Sequence, residues 1–145
     1  MISCHFSPGT DILDAILDCL EASSSEIDIC VYTLSDDRLL DAILQCHREG
    51  IAVRILSDND KMYDQGSDIQ TLHRAGLDVK VDNSPAHMHH KFMVVDRSIV
   101  LTGSYNWTRS AATRNAENLV VIDDATTASQ FTIEFNRLWS LASHL

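Results

Sequence analysis

Apolar and polar positions along the chain switch between two periods. Ile2 to Phe6, Ile27 to Leu34, Ile51 to Leu56 and Leu77 to Val81 are short apolar or alternating runs rich in branched and aromatic residues, which predict strands. Between the first two, Ile12, Ile16, Leu17 and Leu20 repeat with helical spacing, so a helix is expected up to about Ala22. Ser7-Pro8 is expected to open it, with serine as N-cap and proline at the first helical position. Ser35 is expected to cap a second helix running through His47, with Gly50 ending it. After a polar loop from Asp58 to Gly66, Ser67 begins a third helix with Ile69, Leu72 and His73 inward and Gly76 closing it. Lys91 to Val95, Ser98 to Thr102 and Glu117 to Ile122 then follow as strands. A last helix from Asp124 turns Phe131, Phe135, Leu138 and Trp139 toward the core.

Strand–helix–strand units in the first half predict parallel pairing, and the close succession of strands after Lys91 predicts antiparallel pairing. The expected fold class is α/β, an α/β/α sandwich around a mixed, mostly parallel sheet. No linker or repeat interrupts the pattern, so residues 1–145 are expected to form one domain, a length that can bury a sizeable core.

Hydrophobic residues at 45% and charged residues at 22% are ordinary for a soluble globular chain. No run of 18 apolar residues is present, and no basic segment leads into an apolar stretch at the N-terminus, so neither membrane insertion nor export is expected. Cys4, Cys19, Cys30 and Cys46 are widely spaced within apolar patterns, which suits reduced thiols and a cytoplasmic setting. The net charge of −10 opposes a polyanionic partner. A local basic groove is still available from Lys61, in the polar loop, and from Arg109 and Arg114; each is otherwise a solvated surface charge.

The chemistry concentrates in His89-His90-Lys91-Phe92-Met93-Val94-Val95-Asp96 and Gly103-Ser104-Tyr105-Asn106. Residues two apart on a strand share a face, so His89 and Lys91 project together. A neutral imidazole can attack phosphorus, while an ammonium beside it neutralises the phosphoryl oxygens. Ser104 and Asn106 repeat the same spacing and can donate to those oxygens, and Gly103 lets the backbone approach an anion. His90 is expected on the opposite face as a structural histidine. Chelation by His87, His89 and His90 lacks a nearby Cys or Glu to complete a shell, and Asp58-Asn59-Asp60-Lys61 lacks the remaining spacing of a calcium loop. No metal and no cofactor is expected. The Asp58 loop reads instead as a substrate-side loop.

The pattern His-x-Lys-x4-Asp-x6-Gly-Ser-x-Asn resembles the HKD signature of the phospholipase D superfamily, on His89, Lys91, Asp96, Gly103, Ser104 and Asn106. Glu117 falls where that family places a histidine-orienting glutamate. Met88 to Phe92 and Thr102 to Thr108 most resemble the single-motif members, the Nuc-type endonucleases and the Zucchini or mitochondrial phospholipase D group. The resemblance implies a phospholipase D-like fold and a metal-independent phosphodiesterase with a phosphohistidine intermediate. His89, Lys91, Asp96 and Glu117 form its catalytic set, and Lys91, Ser104 and Asn106 hold the phosphate. Asp96, at a strand end before a turn, also reads as a structural acceptor. Tyr105 is a candidate contact to substrate or to a second copy, and Trp107 a packing residue near the site. Two imidazoles are needed, one to attack and one to protonate the leaving oxygen, and only one motif is present, so a homodimer is expected. Single-stranded nucleic acid is the expected substrate. Cardiolipin or a related phospholipid is the alternative, and a binding module without turnover a second one.

Overall fold

The computed structural model describes residues 1–145. Strands β1 (Ile2–Phe6), β2 (Glu26–Val31), β3 (Ala52–Ser57), β4 (Asp78–Val81), β5 (Lys91–Val95), β6 (Ile99–Gly103), β7 (Asn118–Asp123) and β8 (Ser143–His144) form one sheet in the order β1-β7-β6-β5-β2-β3-β4-β8. Helices α1 (Asp11–Glu21), α2 (Asp37–Arg48), α3 (Ile69–Arg74), α4 (Arg109–Thr113) and α5 (Ala125–Leu141) accompany it. The central strands β2, β3 and β5 are largely apolar on both faces because both are covered. Ile27, Ile29, Ile55, Met93 and Leu101 pack with residues of α1 to α4, whereas Cys30, Leu56, Phe92, Val94 and Val100 pack with Ala128 and Phe135 of α5.

The sheet is mixed, as expected, but its balance differs from the mostly parallel expectation. Only β2–β3 and β3–β4 pair in parallel; β1–β7, β2–β5, β4–β8, β5–β6 and β6–β7 are antiparallel. Only β5 and β6 are joined by a turn too short for a crossover; the β6–β7 connection carries α4, and the other antiparallel pairs join strands distant in sequence. β5 lies directly against β2, so the two halves of the chain meet at the centre of the sheet.

Several local expectations are corrected. Ser7-Pro8 does not open α1. The peptide between them is cis, the helix starts at Asp11 after Thr10, and the Ser7 hydroxyl instead donates to the Asn115 carbonyl (2.8 Å) and accepts from the Glu117 N–H (3.0 Å). The cap of α2 is Asp36 rather than Ser35; fully buried, it accepts from the Arg38 N–H (3.0 Å) and from the Arg38 guanidinium. His73 is exposed, so α3 turns only Ile69 and Leu72 inward. Asp124 caps α5 as expected, accepting from the Thr127 N–H at 2.8 Å.

Asp68, just before α3, is buried, and its Oδ2 has no hydrogen-bond partner. Burial, with Asp37, Asp36 and Asp41 nearby, pushes its carboxyl up to about 6. A carboxyl that folding raises costs nothing below its unfolded value near 3.9; the cost builds as pH climbs from there and is complete above about 6. Asp68→Asn is therefore expected to raise stability by about 1 kcal/mol at pH 7.5, after allowance for solvent screening, and by nothing measurable at pH 3.5. Urea denaturation at the two pH values checks this, and equal effects at both would contradict it.

Candidate active site

Asp96 fixes the frame of the site without belonging to it. Its carboxylate accepts from the N–H groups of Ser24, Ser25 and Glu26 and from the hydroxyls of Ser24 and Ser25, at 2.8 to 3.1 Å. Burial opposes its charge, but these donors prevail and hold it at about 2. With φ of 52° and 53°, Asp96 and Arg97 also make the tight left-handed turn into β6. Asp96 thus stands at the far end of β5 from Lys91, and its expected place in the catalytic set gives way to a structural clamp. The clamp holds the start of β2 to the end of β5, setting Ile27 opposite Val95 and Val31 opposite Lys91.

At the other end of that register, Tyr32 donates its N–H to the His90 carbonyl (2.9 Å), and its ring lies 4.5 Å from the His89 ring and 5.3 Å from that of His87. The Lys91 Nζ stands 3.1 Å from His89 Nδ1 and 2.9 Å from the His89 carbonyl, so the pair expected from the alternation is formed. Lys91 and Lys61 both approach the Tyr32 ring, at 5.6 and 5.4 Å from its centroid. The Lys91 charge, followed by desolvation and His87, lowers the His89 pKa against an opposing pull from Asp58. Burial lowers Lys91, which the Glu117 carboxylate partly offsets. A neutral imidazole beside a cation is the outcome.

Gly103 is the hinge of the second half of the site. A Cβ there would stand 2.1 Å from the Asn118 carbonyl oxygen, so only glycine lets β6 come this close to the start of β7. That approach joins Ser104 to Glu117. The Ser104 hydroxyl donates to Glu117 Oε1 (2.6 Å) and accepts from the Asn118 N–H (3.1 Å), while the Asn115 amide donates to Glu117 Oε2 (3.0 Å). Glu117 makes no hydrogen bond to His89 within the chain, so the expected orienting contact is replaced by one to Ser104. Asn106 has a buried Oδ1 without a partner. Tyr105 is buried, which removes it as a surface contact, and Trp107 packs in the core, its backbone bridging to Leu34.

Lys61 sits beside the site, paired with Asp64 at 3.2 Å. Arg109 begins α4 and lines a polar cavity with Thr33 and Ser35, and Arg114 is exposed at the other end of α4. His90 takes the opposite face as expected, but exposed, with its ring edge-on to Phe92 rather than hydrogen-bonded. Asp58, Asp60 and His87 approach one another within 4.8 Å. Asp58 is nevertheless occupied by the N–H groups of Met88, Asp60 and Lys61 (3.0 to 3.2 Å), so it anchors the loop around Lys61. Tyr32 is the residue the sequence reading missed. Its only signal is an aromatic at the carboxyl end of a strand, where α/β sheets place ligands.

A family model described as "Cardiolipin synthase, PLD-like domain" matches residues 16–139. The chain belongs to this PLD-like family. Among curated relatives of the PLD-like chain, a mitochondrial cardiolipin hydrolase of Chlamydomonas reinhardtii is 42% identical over 138 residues, covering 95% of this chain and 62% of its own. One of Homo sapiens is 37% identical over 136 residues, covering 94% and 54%. The chain thus spans between about half and two thirds of the length of these relatives. In fold, Nuc, a phospholipase D family member from Salmonella typhimurium, matches with a TM-score of 0.94 at 24% identity, covering 100% of this chain and 97% of that one. NucT from Helicobacter pylori matches at 0.92 and 22%, covering 100% and 99%. The PLD-like fold is common to all three.

Because Lys91 is the largest cause lowering the His89 pKa, Lys91→Ala is expected to raise it toward about 6.5, the unperturbed value. An NMR titration of the ring in parent and variant checks this. An unchanged midpoint would show that the ammonium does not set the protonation of His89.

Proposed function

We propose that the protein is a metal-independent phosphodiesterase that cleaves single-stranded nucleic acid with little sequence preference, as a homodimer, through a phosphohistidine on His89. The observation that carries the reaction is the contact of the Lys91 ammonium with the imidazole of a His89 biased to its neutral form. In this reading Lys91 moves its hydrogen bond from the ring nitrogen to a phosphoryl oxygen when substrate enters, which frees the imidazole lone pair for attack. The N–P bond forms as the P–O bond to the leaving group breaks, and His89 of a second copy supplies the proton to the leaving oxygen. That same imidazole then takes a proton from water, whose oxygen attacks phosphorus and releases His89. On releasing Glu117, the Ser104 hydroxyl donates with the Asn106 amide to the remaining oxygens, and Glu117, which holds Ser104 before substrate enters, offsets the charge of Lys91.

Nucleic acid is preferred on the character of the rim, where Lys61, Lys91, Arg109 and the Tyr32 ring offer cations and a π surface for phosphates and bases. The second reading, hydrolysis of cardiolipin or a related phospholipid by the same residues, draws on the names of the relatives and on an apolar cleft of about 300 Å³ beside His87, lined by Leu56, Met88, Leu138 and Leu141. Those names also favour a mitochondrial over the expected cytoplasmic setting. No helix is long and apolar enough to cross a membrane. A binding module without turnover is disfavoured because the chain carries His89, Lys91, Ser104, Asn106 and Glu117 together.

Cleavage of labelled single-stranded RNA and DNA in excess EDTA at low salt, beside His89→Asn, is the test. The parent is expected to cleave and to sediment as a dimer, and the variant to lose at least about 1,000-fold in rate with its fold intact. Activity in the variant, or in a monomer, would contradict the mechanism. Hydrolysis of cardiolipin without cleavage of either polymer would select the second reading.

A further inference from the structure

The end of β2, the start of α4 and the loop after Lys61 enclose a cavity of about 340 Å³ with eight polar lining residues and no apolar one. It is linked to the reactive histidine through Lys61 and Tyr32. Asp64 in its wall pairs with Lys61, Lys61 lies 5.4 Å from the Tyr32 ring centre, and that ring is 4.5 Å from His89. Thr33, which follows Tyr32 in the chain, lines the cavity itself. The hydroxyls of Thr108 and Ser67 are engaged by backbone N–H groups. The side chains of Thr33, Ser35, Gln65 and Arg109 make no hydrogen bond or ion pair within the chain, although all four face this space. Asp36, which feels the Arg109 charge, is already held by both ends of the Arg38 fork.

We propose that this cavity is the subsite for the sugar and base of the nucleotide beside the scissile phosphate, with Arg109 on the next phosphate along the strand. The assignment rests on the nuclease reading and extends it. The volume is at the small end of ligand sites, about 300 to 1,000 Å³, which suits a nucleoside. An acyl chain here would meet only hydroxyl, amide and charged groups, so its burial would gain little and leave those groups unpaired. Hydroxyls and an amide both donate and accept, and can satisfy any base edge without demanding one. A guanidinium matches a phosphate in two parallel bonds. In a chain of net charge −10, an arginine without a carboxylate partner is where attraction for a polyanion concentrates. The Asp64 carboxylate in the wall is offset by Lys61.

The test compares kcat/KM on a single-stranded hexanucleotide with that on bis(p-nitrophenyl) phosphate, a diester with no sugar, base or second phosphate. Arg109→Ala and the double variant Thr33→Val/Gln65→Ala are expected to lower the ratio of the two values roughly ten- to a hundredfold, the loss on the hexanucleotide exceeding that on the small diester. An equal fall on both substrates, no change on either, or dissociation of the dimer in these variants would overturn the proposal. If the parent hydrolyses the small diester and cardiolipin vesicles but no oligonucleotide, the nuclease reading itself fails and the subsite falls with it. That result is distinguished by being present before any substitution is made.

Discussion

The register between β2 and β5 decides where His89 and Lys91 stand, and a single carboxylate locks it. Asp96 gathers five hydrogen bonds from Ser24, Ser25 and Glu26 at one end of the strand pair. At the other end the same register sets Val31 against Lys91 and carries Tyr32 onto His89. A slip by one residue would send Lys91 to the face covered by α5 and bring Phe92 to the site, because strand side chains alternate. The motif aspartate therefore acts at a distance of a whole strand, about 17 Å at 3.3 Å per residue.

A second close approach completes the site from the other direction. Gly103 allows β6 to touch the start of β7, and Ser104 and Glu117 meet there across a 2.6 Å hydrogen bond. Lys91 stands between the two arrangements, in contact with His89 and within the field of Glu117. The ammonium lowers the histidine's pKa, while the glutamate limits how far burial can lower that of the ammonium. Charge on each member is thus set by the next, in a chain whose net charge is −10.

Features written in local pattern were legible from the sequence. The seven longer strands follow from apolar runs, and the His89–Lys91 pair from alternation. Features that depend on distant chain segments were not. Nothing near Asp96 in sequence announces that residues 24–26 will be its donors, and nothing near Glu117 shows that Ser104 will claim it. Ser7-Pro8 has the local form of a helix start, yet the Ser7 hydroxyl bridges Asn115 and Glu117, more than a hundred residues away, and that tertiary bond outweighs the capping preference. α4 went unforeseen because Arg-Ser-Ala-Ala-Thr is too short to show a helical period. β8 has only two residues and exists through its pairing with β4.

In the proposed mechanism His89 becomes covalently bonded to phosphorus during turnover. Rapid quenching of the enzyme with excess substrate into alkali, which preserves phosphohistidine, followed by mass spectrometry of the peptide containing His89, tests it most directly. The mechanism predicts an adduct on His89 whose phosphorus is still esterified to the retained part of the substrate, which accumulates within a turnover and is absent from His89→Asn. A burst of product with an unmodified His89 would contradict it.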